Sequence, residues 1–219
     1  MLTQLTWQLE AIFGLIFPEQ CVICGWAGGL ICKPCRSRLE PYPLAPTPVG
    51  LDAMSVAWLY DREVRHAIHA LKYQRQQRVA LALADALADG LTAPPGEALI
   101  PVPLHPRRLA ERGFNQAEVL ARRLAWRWHL PVRAEGLVRA RETGHQAQLG
   151  QKERQSNVAG AFVWQAPRPP PARVLLVDDV LTTGATLIAC ANALRAVGTR
   201  EVRAVALARS LAPQGRVLQ

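Results

Sequence analysis

The chain reads as an α/β protein with a mainly parallel sheet and a small cysteine-rich module near its N-terminus. Three observations carry that expectation. A short continuous apolar run, Val174-Leu175-Leu176-Val177, has the form of a strand covered on both faces, and it leads through Asp178-Asp179 into a hydroxyl-rich turn. Strand-like and helix-like segments alternate on either side of it. Far upstream, Cys21, Cys24, Cys32 and Cys35 form two C-x2-C pairs separated by seven residues.

Residues 1–20 lack a leading basic segment and a small-residue cleavage site, and Gln8, Glu10 and Glu19 interrupt their apolar stretches. No stretch of the chain approaches an uncharged membrane span, so no membrane insertion and a cytoplasmic location are expected. The cysteine spacing lets each short knuckle place two sulfurs on one metal, which reads as structural Zn2+. Four thiolates would leave no open position for a substrate water. The competing reading is a pair of disulfides, which requires an oxidising compartment. Gly25, Gly28 and Gly29 suit tight turns around such a site. Pro41, Pro43, Pro46 and Pro48 then make an extended connector. The expected organisation is an N-terminal helix, zinc module and connector over residues 1–48, an α/β domain over 49–212, and a tail over 213–219.

Within the α/β part, residues 56–60 read as a first strand. Val64, Ile68 and Leu71 mark one helix face, and Val79, Leu83, Leu87 and Leu91 a second, ended by Pro94-Pro95-Gly96. Residues 99–102 read as the next strand, leading into a basic turn through Leu104, His105, Pro106, Arg107 and Arg108. Asn115 is placed as the N-cap of the following helix, with Glu118 three residues on completing a capping-box-like pair. Ala117, Leu120, Ala121, Leu124 and Trp128 form its apolar face. Residues 139–157 turn polar and aperiodic, as a loop does. Residues 162–164 read as a short strand and 202–207 as the last. Cys190 shares helical spacing with Leu187, Leu194 and Val197, which makes it core.

The 219 residues are half apolar, ample for one domain with a small attachment, and carry a formal charge of +9. Residues 101–160 hold eleven Lys or Arg against five Glu. Such a face attracts anions, whether pyrophosphate, nucleic acid or phospholipid. No nucleic-acid-binding module is recognisable, so charge alone reads as a solvated face. His66 and His69 lie three apart on a helix without a third ligand nearby, again a solvated face.

The chemistry concentrates after residue 177. Ligands of open α/β sheets bind beyond the carboxyl ends of strands. Thr182, Thr183, Gly184, Ala185 and Thr186 supply hydroxyls and backbone N–H groups at a helix start, where the macrodipole favours a phosphate. Asp178 and Asp179 are acceptors for two neighbouring hydroxyls, such as those of a ribose, or for Mg2+ held through water. The plain alternative is an acidic strand end with a capped helix.

The run from Val174 to Thr186 resembles the signature of the type I phosphoribosyltransferases at every position. That resemblance implies their Rossmann-like fold and binding of phosphoribosyl pyrophosphate (PRPP) with Mg2+. It implies ribose hydroxyls on Asp178 and Asp179 and the 5-phosphate on residues 182–186. The wider pattern is similar to the ComF/GntX family, from about residue 5 to 210. It comprises the cysteine knuckles, Arg112-Gly113-Phe114-Asn115-Gln116, Gln146-x2-Leu149, Arg154-x2-Asn157 and the signature. Members of that family are linked to DNA uptake in natural transformation. By this resemblance Leu104, His105, Pro106, Arg107 and Arg108 form the pyrophosphate loop, and Arg139, Arg141, Lys152 and Arg154 belong to the flexible loop that closes on PRPP. His105 and His145 lie in those loops, but no residue stands out as a general base. Lys72-Tyr73 reads as an ordinary helix end. Three functions stay open: a PRPP-binding protein handling incoming single-stranded DNA with a helicase or processing partner, a phosphoribosyltransferase with an unidentified acceptor, and a zinc-dependent adaptor for single-stranded nucleic acid.

Overall fold

The computed structural model describes residues 19–43, 45–73, 76–141, 158 and 160–210. In chain order the elements are α1 (Lys33–Arg36), β1 (Ala53–Leu59), α2 (Arg62–Tyr73), α3 (Gln77–Gly90), β2 (Ala98–Pro101), α4 (Pro106–Arg112) and α5 (Gln116–Trp128). They continue with β3 (Leu137–Arg139), β4 (Phe162–Trp164), β5 (Arg173–Leu181), α6 (Ala185–Arg195) and β6 (Glu201–Arg209). β1, β6, β5 and β2 form one parallel sheet in that order, and β3 pairs antiparallel with β4.

The continuous apolar run of β5 is explained by burial on both sides. Alternate residues of a strand face opposite ways. Leu175 and Val177 join Val64, Ile68, Leu71, Leu83, Leu120 and Leu124 on the face covered by α2, α3 and α5. Val174 and Leu176 join Leu137, Phe162, Leu187, Cys190 and Leu194 on the face covered by α6 and the β3–β4 hairpin. Cys190 is fully buried there, as its helical spacing predicts.

The cysteine module packs on the first of these faces. Leu39 is buried in it, with Val22, Ile23, Leu30 and Ile31 against it. Arg36 of α1 bonds Asp89 of α3 at 2.7 Å, and Asp89 also accepts from Arg127 of α5 at 2.6 Å. These pairs are largely exposed and orient more than they stabilise. The proline-rich segment runs along the sheet: Pro41 bridges antiparallel to Trp58, and the Tyr42 N–H donates to the Ala57 carbonyl. It thereby covers the outer edge of β1, which would otherwise present unpaired backbone.

Three local expectations change. Pro106, Arg107 and Arg108 are not in a loop but form the start of α4, because Pro106 at its first position has the helical φ and needs no N–H partner. Arg139 does not open a loop but ends β3, paired with Phe162. Asn115 does cap α5, its side chain accepting from the Ala117 N–H and donating to the Val102 carbonyl at 3.0 Å. Glu118, however, turns to Arg122 at 2.7 Å instead of closing the capping box. Among the described residues no helix is long and apolar enough to cross a membrane.

The hairpin depends on close approach at Gly136. A Cβ there would lie 2.1 Å from Trp164 Cη2. Gly136→Ala is therefore expected to destabilise the fold by about 1–3 kcal/mol through overpacking, read as a lower urea midpoint with an unchanged m-value.

Candidate functional site

β2 gives out before β5 does, and that difference makes a cleft. The last β2–β5 pair is Pro101 with Val177, and the Val102 N–H still donates to the Val177 carbonyl at 2.9 Å. β5 runs on to Leu181 beside β6 alone. Asp178 and Asp179 are the first residues past the end of β2, inside a strand that has lost one neighbour. The resulting cavity of about 330 Å3 is lined by both carboxylates, Thr182, Thr183, Gly184, Ala185 and Thr186, together with Val102, Pro103 and Leu104. Tyr60, Lys72, Gln116 and Arg139 complete its walls.

The two neighbouring carboxylates line one cavity and interact directly, but their other partners differ. Asp179 points to the α2–α5 side, forms an ion pair with Lys72 Nζ from the last turn of α2, and faces Gln116 Nε2 at 3.5 Å. Gln116 is itself held by Arg112 at 3.0 Å. Asp178 lies toward the α6 side, where its charge is felt by buried Cys190, and its Oδ1 accepts from the Asp179 N–H at 2.8 Å. Burial pushes the Asp178 carboxyl well up, and the neighbouring Asp179 charge adds to this. Burial acts the same way on Asp179, but the Lys72 ammonium outweighs it and holds that carboxyl below the usual range. Burial would lower Lys72, and the Asp179 carboxylate reverses this and raises it. One carboxylate is thus stabilised as the anion while its neighbour favours the proton.

The turn after β5 is shaped for close backbone approach. Gly184 caps α6 with φ +84°, in the left-handed region, and a Cβ there would sit 3.3 Å from Pro48 Cγ. Thr183 is buried and its Oγ1 accepts from the Ala185 N–H at 3.4 Å. Residues 182–186, around the start of α6, line the cleft, where the positive end of the helix favours an anion.

Of the basic turn expected after β2, Leu104 lines the cleft, whereas His105 caps α4 through Nδ1 and Arg107 pairs with Glu111. Pro106 and Arg108 lie on α4, away from the cleft walls. Arg139 reaches the cleft from the end of β3, its guanidinium 5.6 Å from the Phe162 ring centroid. Arg141 follows on the exposed surface. Lys152, Arg154 and His145 lie outside the described residues. Lys72, an ordinary helix end by sequence, becomes a wall of the site, and so do Gln116 and Tyr60, to which the sequence assigns no role. One signal points to Lys72: the chain has only three lysines, Lys33, Lys72 and Lys152, among 26 basic residues.

A separate cluster gathers Cys21, Cys24, Cys32 and Cys35, whose sulfurs all lie within 4.8 Å of one another. The Cys24 and Cys32 sulfurs are 3.7 Å apart, close to the ~3.8 Å edge of a tetrahedron with metal–sulfur bonds of about 2.3 Å. All four are free thiols, so the disulfide alternative is not adopted. Burial opposes ionisation of Cys21, but the N–H groups of Cys32, Cys24 and Ile23 bring its thiol down to about 6. Burial and the neighbouring sulfurs of Cys24, Cys32 and Cys21 push Cys35 up to about 12. The Cys32 N–H donates to Cys21 Sγ at 3.4 Å and Arg38 to Cys35 Sγ at 3.1 Å, the kind of donors that thiolate ligands need. This donor set can hold one metal ion.

Lys72→Met should leave the Asp179 charge buried and unpaired, costing roughly 3 kcal/mol at pH 7. Because the folded Asp179 value is depressed, the pair contributes above the ordinary carboxyl value of 3.8 and its contribution fades as pH falls below it. Urea denaturation is expected to separate the variant from wild type more at pH 7 than at pH 3, and adding Asp179→Asn should recover most of the loss.

Residues 109–218 match the family model of the phosphoribosyl transferase domain. The chain is 34% identical to Competence protein F of Haemophilus influenzae, over 82% of this chain and 84% of that protein. It is 35% identical to DNA utilization protein YhgH of Escherichia coli O157:H7, over 88% and 83%, and 25% identical to Competence protein ComFC of Streptococcus pneumoniae, over 74% and 70%. Among solved structures it is similar to a purine phosphoribosyltransferase from Pyrococcus horikoshii Ot3 at 18% identity and a TM-score of 0.33, covering 63% of this chain and 75% of that one, too loose a likeness to carry weight. At 34–35% identity over more than four fifths of this chain and of these relatives, and with the domain match, the chain belongs to the ComF family and carries a phosphoribosyl transferase domain.

Proposed function

We propose that the cleft binds PRPP and that the protein serves the handling of incoming single-stranded DNA in the cytoplasm, together with a helicase or DNA-processing protein. The observation that carries the PRPP reading is the meeting, in one cavity, of two strand-end carboxylates and the N-terminal turn of α6. The 5-phosphate is assigned to Thr182, Thr183, Gly184, Ala185 and Thr186, where N–H groups and hydroxyls converge. The ribose hydroxyls are assigned to Asp178 and Asp179. For the pyrophosphate, Arg139 and the backbone around Leu104 are nearest, and Lys152 and Arg154 of the expected flexible loop would add charge, with Arg141 at its entrance. The role in DNA uptake rests on what the curated relatives are named for, competence and DNA utilization.

Both halves of the cleft suit a sugar whose anomeric bond breaks. A departing pyrophosphate needs preorganised positive charge, and an oxocarbenium-like ribose is stabilised by a nearby carboxylate. Mg2+, carried by the pyrophosphate and by water near Asp178 and Asp179, would supply further charge for the leaving group. Lys72 keeps Asp179 anionic while the cleft is without sugar. The same completeness of the site favours a second reading, transfer of the ribosyl phosphate to an acceptor not yet identified. The four-cysteine cluster is assigned a structural Zn2+, supported by its sulfur spacing and its N–H···S donors.

Calorimetric titration of Mg2+ and PRPP into the protein is expected to give one site per chain. Asp178→Asn/Asp179→Asn, folded by circular dichroism, should weaken binding roughly a hundredfold through loss of charged hydrogen bonds. Equal affinity in the variant, or no heat in the wild type, rejects the site. Pyrophosphate released on adding an acceptor would make the protein a transferase. Wild-type DNA uptake in a clean deletion strain rejects the cellular role.

A chelator should remove one Zn2+ per chain and lower Tm by more than about 5 °C, since binding energy of a structural metal is folding energy. Cys24→Ser is expected to do the same without chelator. Metal analysis that finds no zinc in the purified protein argues against the assignment.

A further inference from the structure

A second cavity, of about 390 Å3, opens at the opposite end of the β3–β4 hairpin from the acid cleft. Its volume lies in the range of about 300–1,000 Å3 typical of small-molecule sites. Trp164 forms one wall, Pro169 and Pro171 another, and Arg122, Arg133 and Arg168 rim it. The indole has a fixed position: it occupies the space a Cβ at Gly136 would need, and its Nε1 donates to the Arg168 carbonyl at 2.9 Å. It is partly exposed. Three guanidinium groups face one carboxylate among the lining residues, Glu135. Arg122 is paired with Glu118 on its own helix, whereas no carboxylate bonds the side chains of Arg133 or Arg168 among the described residues.

A flat, partly apolar wall beside unneutralised guanidinium groups recognises a flat, partly apolar anion. We infer that this cavity is a nucleotide-binding site, in which a nucleobase stacks on Trp164 and a phosphate meets Arg133 and Arg168. Stacking on a tryptophan next to arginines is sequence-tolerant and is the chemistry by which single strands are held. The surface continues beyond the cavity. Trp126 lies one helical turn from Arg122, so both share a face of α5. It is 64% exposed, with the Arg123 guanidinium 4.3 Å from its ring centroid. A free nucleotide and one unit of a single strand share the chemistry of the cavity, and the adjoining Trp126 gives the strand a second ring to stack on.

The inference deepens the proposed role in DNA handling and does not depend on PRPP. Gly136, just before β3, lines this cavity and Arg139, at the end of β3, lines the acid cleft, which places the sites about 10 Å apart along the chain.

The test measures binding of dTMP and of a fluorescent twelve-residue oligo-dT to the full chain, by calorimetry and anisotropy, across a salt series. Arg133→Ala/Arg168→Ala is compared with Arg62→Ala/Arg65→Ala, which removes equal charge from α2. We expect the first variant to lose about tenfold or more in oligo-dT affinity and about one unit of salt slope, at roughly 0.7 unit for each phosphate no longer neutralised. The α2 variant should change little. Both variants should bind Mg2+ and PRPP as wild type does. Tight dTMP binding would identify a free-nucleotide site, and oligo-dT binding with weak dTMP binding a strand site. Equal loss in both variants, no loss in either, or no nucleotide binding by wild type overturns the inference. PRPP binding without nucleotide binding leaves the cleft assignment standing, and nucleotide binding without PRPP binding leaves this site standing alone.

Discussion

Of two interacting carboxylates on consecutive residues of a buried strand, one needs a nearby cation to stay charged, and much of the cleft is arranged around that constraint. Lys72 supplies the cation. To deliver it, α2 must end over the carboxyl edge of the sheet, α5 must begin there with Gln116, and β2 must stop one residue short of Asp178. The two carboxylates interact directly, and their other partners make them unequal. Asp179 is neutralised on the α2–α5 side, and Asp178 on the α6 side is left as a group that favours its proton. A ligand entering this cleft meets a polarised pair and not two equal acids.

Much of this is legible in the order of residues. The β5 run, its acid pair and the Thr-Gly turn predict the carboxyl-end cleft, because an apolar strand covered on both faces leaves little freedom in where its polar residues emerge. The cysteine spacing predicts the four-sulfur cluster for a similar reason, since a two-residue knuckle limits where its sulfurs can go. The long-range partners are not legible. Nothing near Lys72 marks it as the counter-ion of a residue 107 positions away, because an ion pair across the fold leaves no local periodicity. The β3 strand escapes the sequence because Leu137-Val138-Arg139 is too short to show alternation and joins Phe162-Val163-Trp164 through a polar segment. Their charge and the family resemblance place Arg107 and Arg108 in a loop after β2, whereas Pro106 commits them to a helix.

Arginine outnumbers lysine so heavily that its uses can be told apart by partner. Arg36, Arg123 and Arg127 are spent on Asp85 and Asp89, which fasten the cysteine module and α5 to α3. Arg195 holds Asp52 and the Gly50 carbonyl at the start of β1. Net positive charge therefore overstates the surface available to anions; among the described residues, Arg133 and Arg168 at the hairpin cavity and Arg62 and Arg65 on the outer face of α2 form no ion pair with a carboxylate.

Pro48 closes the connector that carries the cysteine module, and its ring also lies behind Gly184 in the turn before α6. The segment around Pro41 meanwhile covers the open edge of β1. The connector ending at Pro48 is thus part of the casing of the turn before α6, and a core trimmed at that boundary would lose the backing of Gly184 and gain a bare strand edge prone to pairing with other chains.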